Sequence, residues 1–387
     1  MKSIYESYRD TSHRELFRNS RKLKYVRYMK ILIAPLNWGL GHASRCVPVI
    51  RELQKRNADV SIAASGRALA LLKKEFPQLT FIDFPDYNIH YSSNLIFGII
   101  FQIPKILFGI FREHRQLEKI IREYHIDAVI SDNRFGLWSR KVHTVFITHQ
   151  VMLKCPKPLK FSEPLLYKLN SFFIKKFDEC WIPDVEEGNN LSGDLSHKFS
   201  LPKNAKYVGW LSRFSNAKLN GQTKKYNLAV IISGPEPQRT AFEKAILNEL
   251  KKSPELKTIL VRGIIENGSK QFTNENITIA DACSTLELSE IISESEIVVS
   301  RSGYSTIMDL IALKKKAILI PTKGQTEQEY LAKHLSGRNL FYCVDEKRFQ
   351  LKEAIEKIHE ANPDFMDADF NGYKKAIEKL LKNFHNA

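Results

Sequence analysis

The chain of 387 residues has only five cysteines, Cys46, Cys155, Cys180, Cys283 and Cys343, far apart and with no CxxC pair. That spacing argues against a disulfide framework and a zinc site, and it fits a reducing cytosol. No apolar run reaches the roughly 18 residues of a spanning helix, and the N-terminus lacks the apolar segment of a secretion signal. The longest such stretch, "LIFGIIFQIPKILFGIF" at 95 to 111, is interrupted by Gln102, Pro104 and Lys105 and reads as a buried or interfacial helix. Tandem repeats and low-complexity tracts are also missing. Two nucleotide signatures are absent: "NWGLGH" has no third glycine of a GxGxxG turn, and the second strand ends "SIAASGR" with no acidic residue for a ribose of NAD. There is no GxxxxGK[ST] loop either, so hydride transfer and ATP hydrolysis both lose ground.

Acidic charge is scarce. The 43 acidic residues stand against 59 lysines and arginines, a net charge of +16. Such a balance asks for a polyanion, a membrane surface or an anionic substrate without choosing among them. The basic residues are dispersed and no DNA- or RNA-reading motif appears, so no nucleic acid is expected. An apolar fraction of 43% and a charged fraction of 26% are those of a globular protein, and the length favours two domains.

What is present is an alternation of apolar strands and amphipathic helices. Strands are expected at Lys30 to Pro35, Asp59 to Ala64, Leu79 to Phe84, Asp127 to Ser131, Thr144 to Thr148 and Glu179 to Ile182, then near 227–232, 257–262, 276–280, 296–300, 316–320 and 341–344. The pattern implies an α/β fold of two Rossmann-like domains whose parallel sheets face a central cleft, where ligands of such sheets bind. The expected domains are 29–211 and 227–387, joined by the polar linker "SRFSNAKLNGQTKKY" at 212–226. Residues 1–28 form a basic extension, either a mobile arm or a start-site artefact with Met29 as the true start.

Between the first strand and its helix lies "NWGLGH", where Gly39 and Gly41 allow close approach and the helix is expected to start at Ala43. Exposed amides and the helix dipole there suit a phosphate or carboxylate, and Arg45 in the first turn calls for a nearby anion. A plain tight turn, with His42 as a cap or packing residue, explains the same glycines.

A stronger constellation is "IVVSRSGYSTIMDLIALKKKAILIP" at 297–321. A strand ends at Ser300, Arg301-Ser302-Gly303 turns, and a helix follows. At about 100° per residue, Ser302, Thr306 and Asp309 form one polar stripe. A hydroxyl and amides at the helix start suit a diphosphate, and a carboxylate two turns on suits ribose hydroxyls. In the next segment, "PTKGQTEQEYLAKHL" at 321–335, Gln325, Glu327 and Gln328 offer polar pairs for sugar hydroxyls, while Thr326 and Glu329 have capping-box spacing. Ligand contact is therefore assigned to Gln325 and Gln328.

From about 29 to 385 the chain resembles the two-Rossmann-domain (GT-B) glycosyltransferases, and among them glycosyltransferase family 28, typified by the lipid-linked N-acetylglucosaminyltransferase of peptidoglycan synthesis. The resemblance rests on "NWGLGH", "SRSGYSTIMDL" and "PTKGQTEQEYLA", in that order. It implies a UDP-sugar donor on the C-terminal domain, a lipid-linked or glycan acceptor on the N-terminal domain, and inverting transfer of a hexose or N-acetylhexosamine with no metal or other cofactor. Carried over by position, Ser302 and Gly303 line the diphosphate, Asp309 takes the ribose and Gln328 the sugar; Ser233 and Gly234 of "ISGPEPQ" face the donor. The chain departs from the family at Pro235 and Pro237, which remove amide donors, and at Asn37 and Trp38, where small residues are usual.

Inverting transfer needs a base for the acceptor hydroxyl and dipoles or positive charge for the departing UDP. His42 is the first choice for base or leaving-group contact, with Asp132 in "ISDNRFG" and His149 in "ITHQV" as further candidates; Asp132 reads more readily as a turn residue. A UDP-sugar epimerase shares the architecture and remains one alternative; a basic nucleic-acid-binding protein is the alternative of another class. The expected location is cytoplasmic, with peripheral docking on the inner face of an anionic membrane through 95–111, its following basic residues and "LLYKLNSFFIKKF" at 165–177.

Overall fold

The computed structural model describes residues 28–86, 95–217, 223–264, 271–274, 276–360 and 369–385. Residues 1–27 of the basic extension lie outside the described residues.

The chain builds two seven-stranded sheets, with strand orders β3-β2-β1-β4-β5-β6-β7 and β10-β11-β9-β8-β12-β13-β14. In the first, β1 (Lys30–Pro35), β2 (Asp59–Ala64), β3 (Thr80–Asp83), β4 (Ala128–Asp132), β5 (His143–Ile147), β6 (Glu179–Ile182) and β7 (Ala205–Tyr207) are all parallel. Their apolar runs reflect burial on both faces, as parallel sheets require. Helices α1 (Leu40–Lys55), α2 (Gly66–Glu75), α3 (Leu95–Tyr124), α4 (Glu163–Ile174) and the single turn α5 (Asp194–His197) connect them.

The second sheet comprises β8 (Tyr226–Ile231), β9 (Thr258–Val261), β10 (Gln271–Asn274), β11 (Ile277–Ala280), β12 (Ser295–Ser300), β13 (Ala317–Leu319) and β14 (Tyr342–Cys343). Only β10 runs antiparallel, at the edge against β11. Its helices are α6 (Gln238–Leu250), α7 (Thr285–Glu294), α8 (Tyr304–Ala312), α9 (Thr326–Ser336), α10 (Leu351–Glu360) and α11 (Gly372–His385).

The expected domain boundaries need two corrections. The last helix, α11, does not stay with the second sheet: it packs on α1, Arg56 pairs with Glu378 at 3.7 Å, and Asp369 accepts from the Trp210 amide at 2.7 Å. Its apolar residues Tyr373, Ala376, Ile377 and Leu380 recur at helical spacing and are buried in a core that also contains Leu53 and Val47. A helix with one such stripe must bury it somewhere, and the first domain supplies the place. The linker is likewise not wholly polar in role, since Ser212 and Phe214 are buried.

The long apolar stretch forms the first part of the 30-residue α3, which runs through Pro104 without ending. Leu107, Phe108 and Phe111 are exposed, so the 104–111 end of the stretch is not ordinary core; the side chains of 95–103 lie outside the described ones. Among the described residues no helix is long and apolar enough to cross a membrane.

Candidate functional site

The carboxyl ends of β1, β4 and β5 deliver three predicted residues to one cluster. Gly39 adopts φ +99°, a left-handed geometry suited to glycine, and α1 begins directly after it at Leu40 rather than at Ala43. His42 therefore sits inside the first helical turn. Asp132 ends β4, which pairs with β1 so that Pro35 lies beside Asp132. His149 follows β5 by two residues.

The His42 Nδ1 is 2.7 Å from Asp132 Oδ1. Arg45 Nη2 also lies 3.0 Å from Nδ1, but the carboxylate is the nearer partner and only accepts, which assigns the proton to Nδ1 and leaves the Nε2 lone pair over; Nε2 has no partner among the described residues, and His42 lines the cleft. Asp132 is fully buried, so it is no mere turn residue. Burial pushes its carboxyl up, but the Arg45 guanidinium and His42 outweigh this and hold it below the usual range. Arg45 puts Nε and Nη2 on the two Asp132 oxygens. The anion that Arg45 was expected to need is thus Asp132, part of the protein and not a ligand.

His149 differs from its expected role as a base. Its Nδ1 accepts from Arg45 Nη1 at 3.0 Å and its Nε2 donates to Glu327 Oε1 at 2.8 Å, so neither nitrogen is open. Its ring is buried and stacks on Tyr304 with centroids 4.1 Å apart. Burial lowers the His149 pKa, against the pull of Glu327, and keeps the ring neutral. Gln150 donates to the other Glu327 oxygen at 2.6 Å. Glu327, offered with Gln325 and Gln328 for sugar hydroxyls, has both carboxylate oxygens held across the cleft by His149 and Gln150.

On the opposite wall, α8 opens at Gly303 with no side-chain cap, and Gly303, Ser305 and Thr306 line the cleft. Uncapped first-turn amides and the helix dipole make this end a ready anion site. Ser305 Oγ donates to Gly41 O at 2.9 Å, and a Cβ at Gly41 would stand 3.2 Å from that hydroxyl, so the glycine lets the two domains meet. Ser233 and Gly234 line the same cleft; Arg67 of α2 reaches over to donate to Gly234 O at 3.0 Å and Gly263 O at 2.6 Å.

Arg301 and Ser302, both expected on the donor side, turn their side chains away from the cleft. Ser302 is fully buried and its hydroxyl donates to Gln328 O at 2.9 Å, while Arg301 is buried against Pro321 O and Glu346. Both side chains point inward because the strand-to-helix turn is anchored through them, leaving the wall to Gly303 and the residues after it. The Thr326–Glu329 capping box is not formed: Gln325 is the N-cap position, Thr326 donates to Lys154 O, and Glu329 accepts from the Gly324 amide.

Asp309 lines the cleft but is already engaged, accepting from Ser212 Oγ at 2.6 Å and Arg213 Nε at 3.1 Å. Burial pushes its carboxyl up, with Arg213 and Ser212 pulling the other way. Gln328 uses Oε1 to accept from the Thr322 amide at 2.9 Å, and both Gln325 and Gln328 line the cleft.

The family 28 glycosyltransferase C-terminal domain matches residues 238–382, and a glycosyl transferase family 1 model matches residues 29–156. An uncharacterized glycosyltransferase of Methanosarcina acetivorans is 24% identical, the match covering 78% of this chain and 80% of that one. The UDP-N-acetylglucosamine--N-acetylmuramyl-(pentapeptide) pyrophosphoryl-undecaprenol N-acetylglucosamine transferase of Haemophilus influenzae is 23% identical over 76% of this chain and 80% of that one. Among solved structures, the glycotransferase of kitacinnamycin has the same fold, with a TM-score of 0.58, 13% identity and coverage of 93% of this chain and 94% of that one. Two facing sheets, one cleft and these matches in both halves identify the chain as a glycosyltransferase of the GT-B fold, similar to glycosyltransferase family 28.

Proposed function

We propose that the protein moves a hexose or N-acetylhexosamine from a UDP-sugar to a lipid-linked or glycan acceptor with inversion, His42 acting as the base. The observation that carries this reading is the His42–Asp132 pair, whose Nε2 has no partner among the described residues, with His42 lining the same cleft as the uncapped start of α8. The acceptor oxygen attacks the anomeric carbon as the bond to the donor phosphate breaks. Its proton passes to His42 Nε2, the resulting imidazolium is stabilised by Asp132, and the departing diphosphate meets the α8 amides. Helix amides do here what a metal would otherwise supply. Asp309 takes the ribose hydroxyls and Gln325 and Gln328 the sugar.

The test is ligand-dependent melting. UDP, and a UDP-hexose more strongly, is expected to stabilise the protein in the presence of a chelator, by about 2.7 kcal/mol at 100 times the dissociation constant. Asp309→Ala should weaken UDP, read as a smaller ligand-induced shift from the variant's own baseline, which itself falls because Ser212 and Arg213 lose their buried carboxylate. No shift at millimolar UDP-sugar removes the donor assignment, and unchanged UDP affinity in Asp309→Ala removes the ribose role.

A lipid-linked acceptor is supported by the surface of the first domain. Phe108 of α3 is 67% exposed and Leu165 of α4 is 69% exposed, with Phe161 at 80% just before α4. Lys168, Lys175 and Arg115 lie nearby in sequence. Apolar side chains in an interface, with basic residues worth about 1 kcal/mol each near anionic lipid, make a workable peripheral anchor. Sedimentation with vesicles should rise with anionic lipid and fall with salt. Full recovery in the supernatant at low salt would favour a water-soluble acceptor.

A further inference from the structure

Arg45 lies near the positive end of α1, where a cation is disfavoured, and only 1% of it is exposed. A buried guanidinium persists in such a place only when its donors are satisfied. All three nitrogens are in use: Nε and Nη2 hold the two Asp132 oxygens, and Nη1 donates to His149 Nδ1 at 3.0 Å. Because His149 Nδ1 must accept, the ring proton sits on Nε2, directed at Glu327 Oε1. One unbroken chain of polar contacts thus runs His42, Asp132, Arg45, His149, Glu327. Its first four members belong to one domain and the last to the other.

We propose that Arg45 is a positioning residue that clamps Asp132 for His42 and, through His149, ties that pair to Glu327, so that the base is complete only with the cleft closed as it is here. The inference rests on the reading of His42 as base. Charge gives the reason for the long connection. Asp132 is already shared with Arg45, and the two nearly cancel. A proton arriving on His42 therefore adds one positive charge to a buried cluster, and the carboxylate left to balance it is Glu327. An opened cleft takes Glu327 away and leaves Arg45 beside a proton acceptor, with Nη2 3.0 Å from His42 Nδ1. Lysine cannot replace Arg45, since a point charge cannot hold both carboxylate oxygens and an imidazole at once.

Nitrogen-15 spectra of the histidine rings in the full-length, unliganded protein test this without any substrate. The parent should show His42 protonated at Nδ1 and His149 at Nε2. His149→Phe keeps the stack on Tyr304 and removes both hydrogen bonds; Glu327→Ala removes the far end. Each should change the His42 ring signals, and Glu327→Ala added to the His149→Phe background should change them no further. Arg45→Lys should cost both rings their single tautomer; if that variant does not fold, the other two still decide. Unchanged His42 signals in both single variants overturn the proposal while leaving His42 free to be the base. An equal effect of Glu327→Ala with and without His149 also overturns it, by showing influence through space alone. Failure of the base assignment itself is seen separately, as turnover that survives His42→Ala.

Discussion

Replacing His42 by alanine is expected to lower transfer by roughly 10² or more while leaving affinity for the nucleotide sugar nearly unchanged. The imidazole's Nε2 has no structural partner to lose among the described residues. Asp132→Asn should produce a comparable fall, because an amide in that place neither fixes the Nδ1 proton nor stabilises the imidazolium. Steady-state rates over a range of donor concentrations separate the two parameters. A variant that loses donor affinity and keeps its maximal rate would move His42 from proton transfer to leaving-group contact.

A second large effect is expected on stability. Arg134 is fully buried and donates through Nε to Glu113 Oε1 at 2.8 Å, with Nη1 on Pro35 O at 3.3 Å and Nη2 on Pro85 O at 2.5 Å. Its guanidinium also lies 4.6 Å from the Phe84 ring. One side chain thus fastens the ends of β1 and β3 to the loop after β4, the frame in which His42 and Asp132 meet. Glu113→Ala leaves this cation buried and without its carboxylate, a change that costs about 3–5 kcal/mol in comparable buried pairs. Chemical denaturation should show the midpoint falling with an unchanged slope. A loss under about 1 kcal/mol would mean that the three carbonyl and ring contacts suffice to hold Arg134.

The sheets were legible in the sequence because buried parallel strands are near-continuous apolar runs, and twelve of the fourteen strands lie within a residue of their expected bounds. β7 and β10 escaped notice for the opposite reason: "AKY" and "QFTN" are short edge strands with no apolar run. The return of α11 to the first domain was not legible, since its stripe shows that a partner exists and not which one. In the site, residue type pointed to His42 and Asp132 separately, but their contact depends on β4 lying next to β1, a fact of sheet order and not of spacing. Arg301 and Ser302 illustrate the converse limit. Helical periodicity puts Ser302 on the stripe of Thr306 and Asp309, yet the turn before α8 rotates its hydroxyl into the interior to hold the Gln328 carbonyl. Glu327 read only as a polar partner for a sugar, because its actual partners His149 and Gln150 lie more than 170 residues away.

The most direct measurement is the fate of the donor. UDP-hexoses and UDP-N-acetylhexosamines are incubated singly with the protein and chelator, with and without anionic vesicles carrying lipid-linked glycans, and both free UDP and the remaining nucleotide sugar are followed. Transfer predicts UDP release from at least one donor that depends on the acceptor vesicles, with a product of inverted anomeric configuration, and its loss in His42→Ala. Conversion of the donor into its epimer without release of UDP, or release indifferent to every acceptor and to His42, would contradict it.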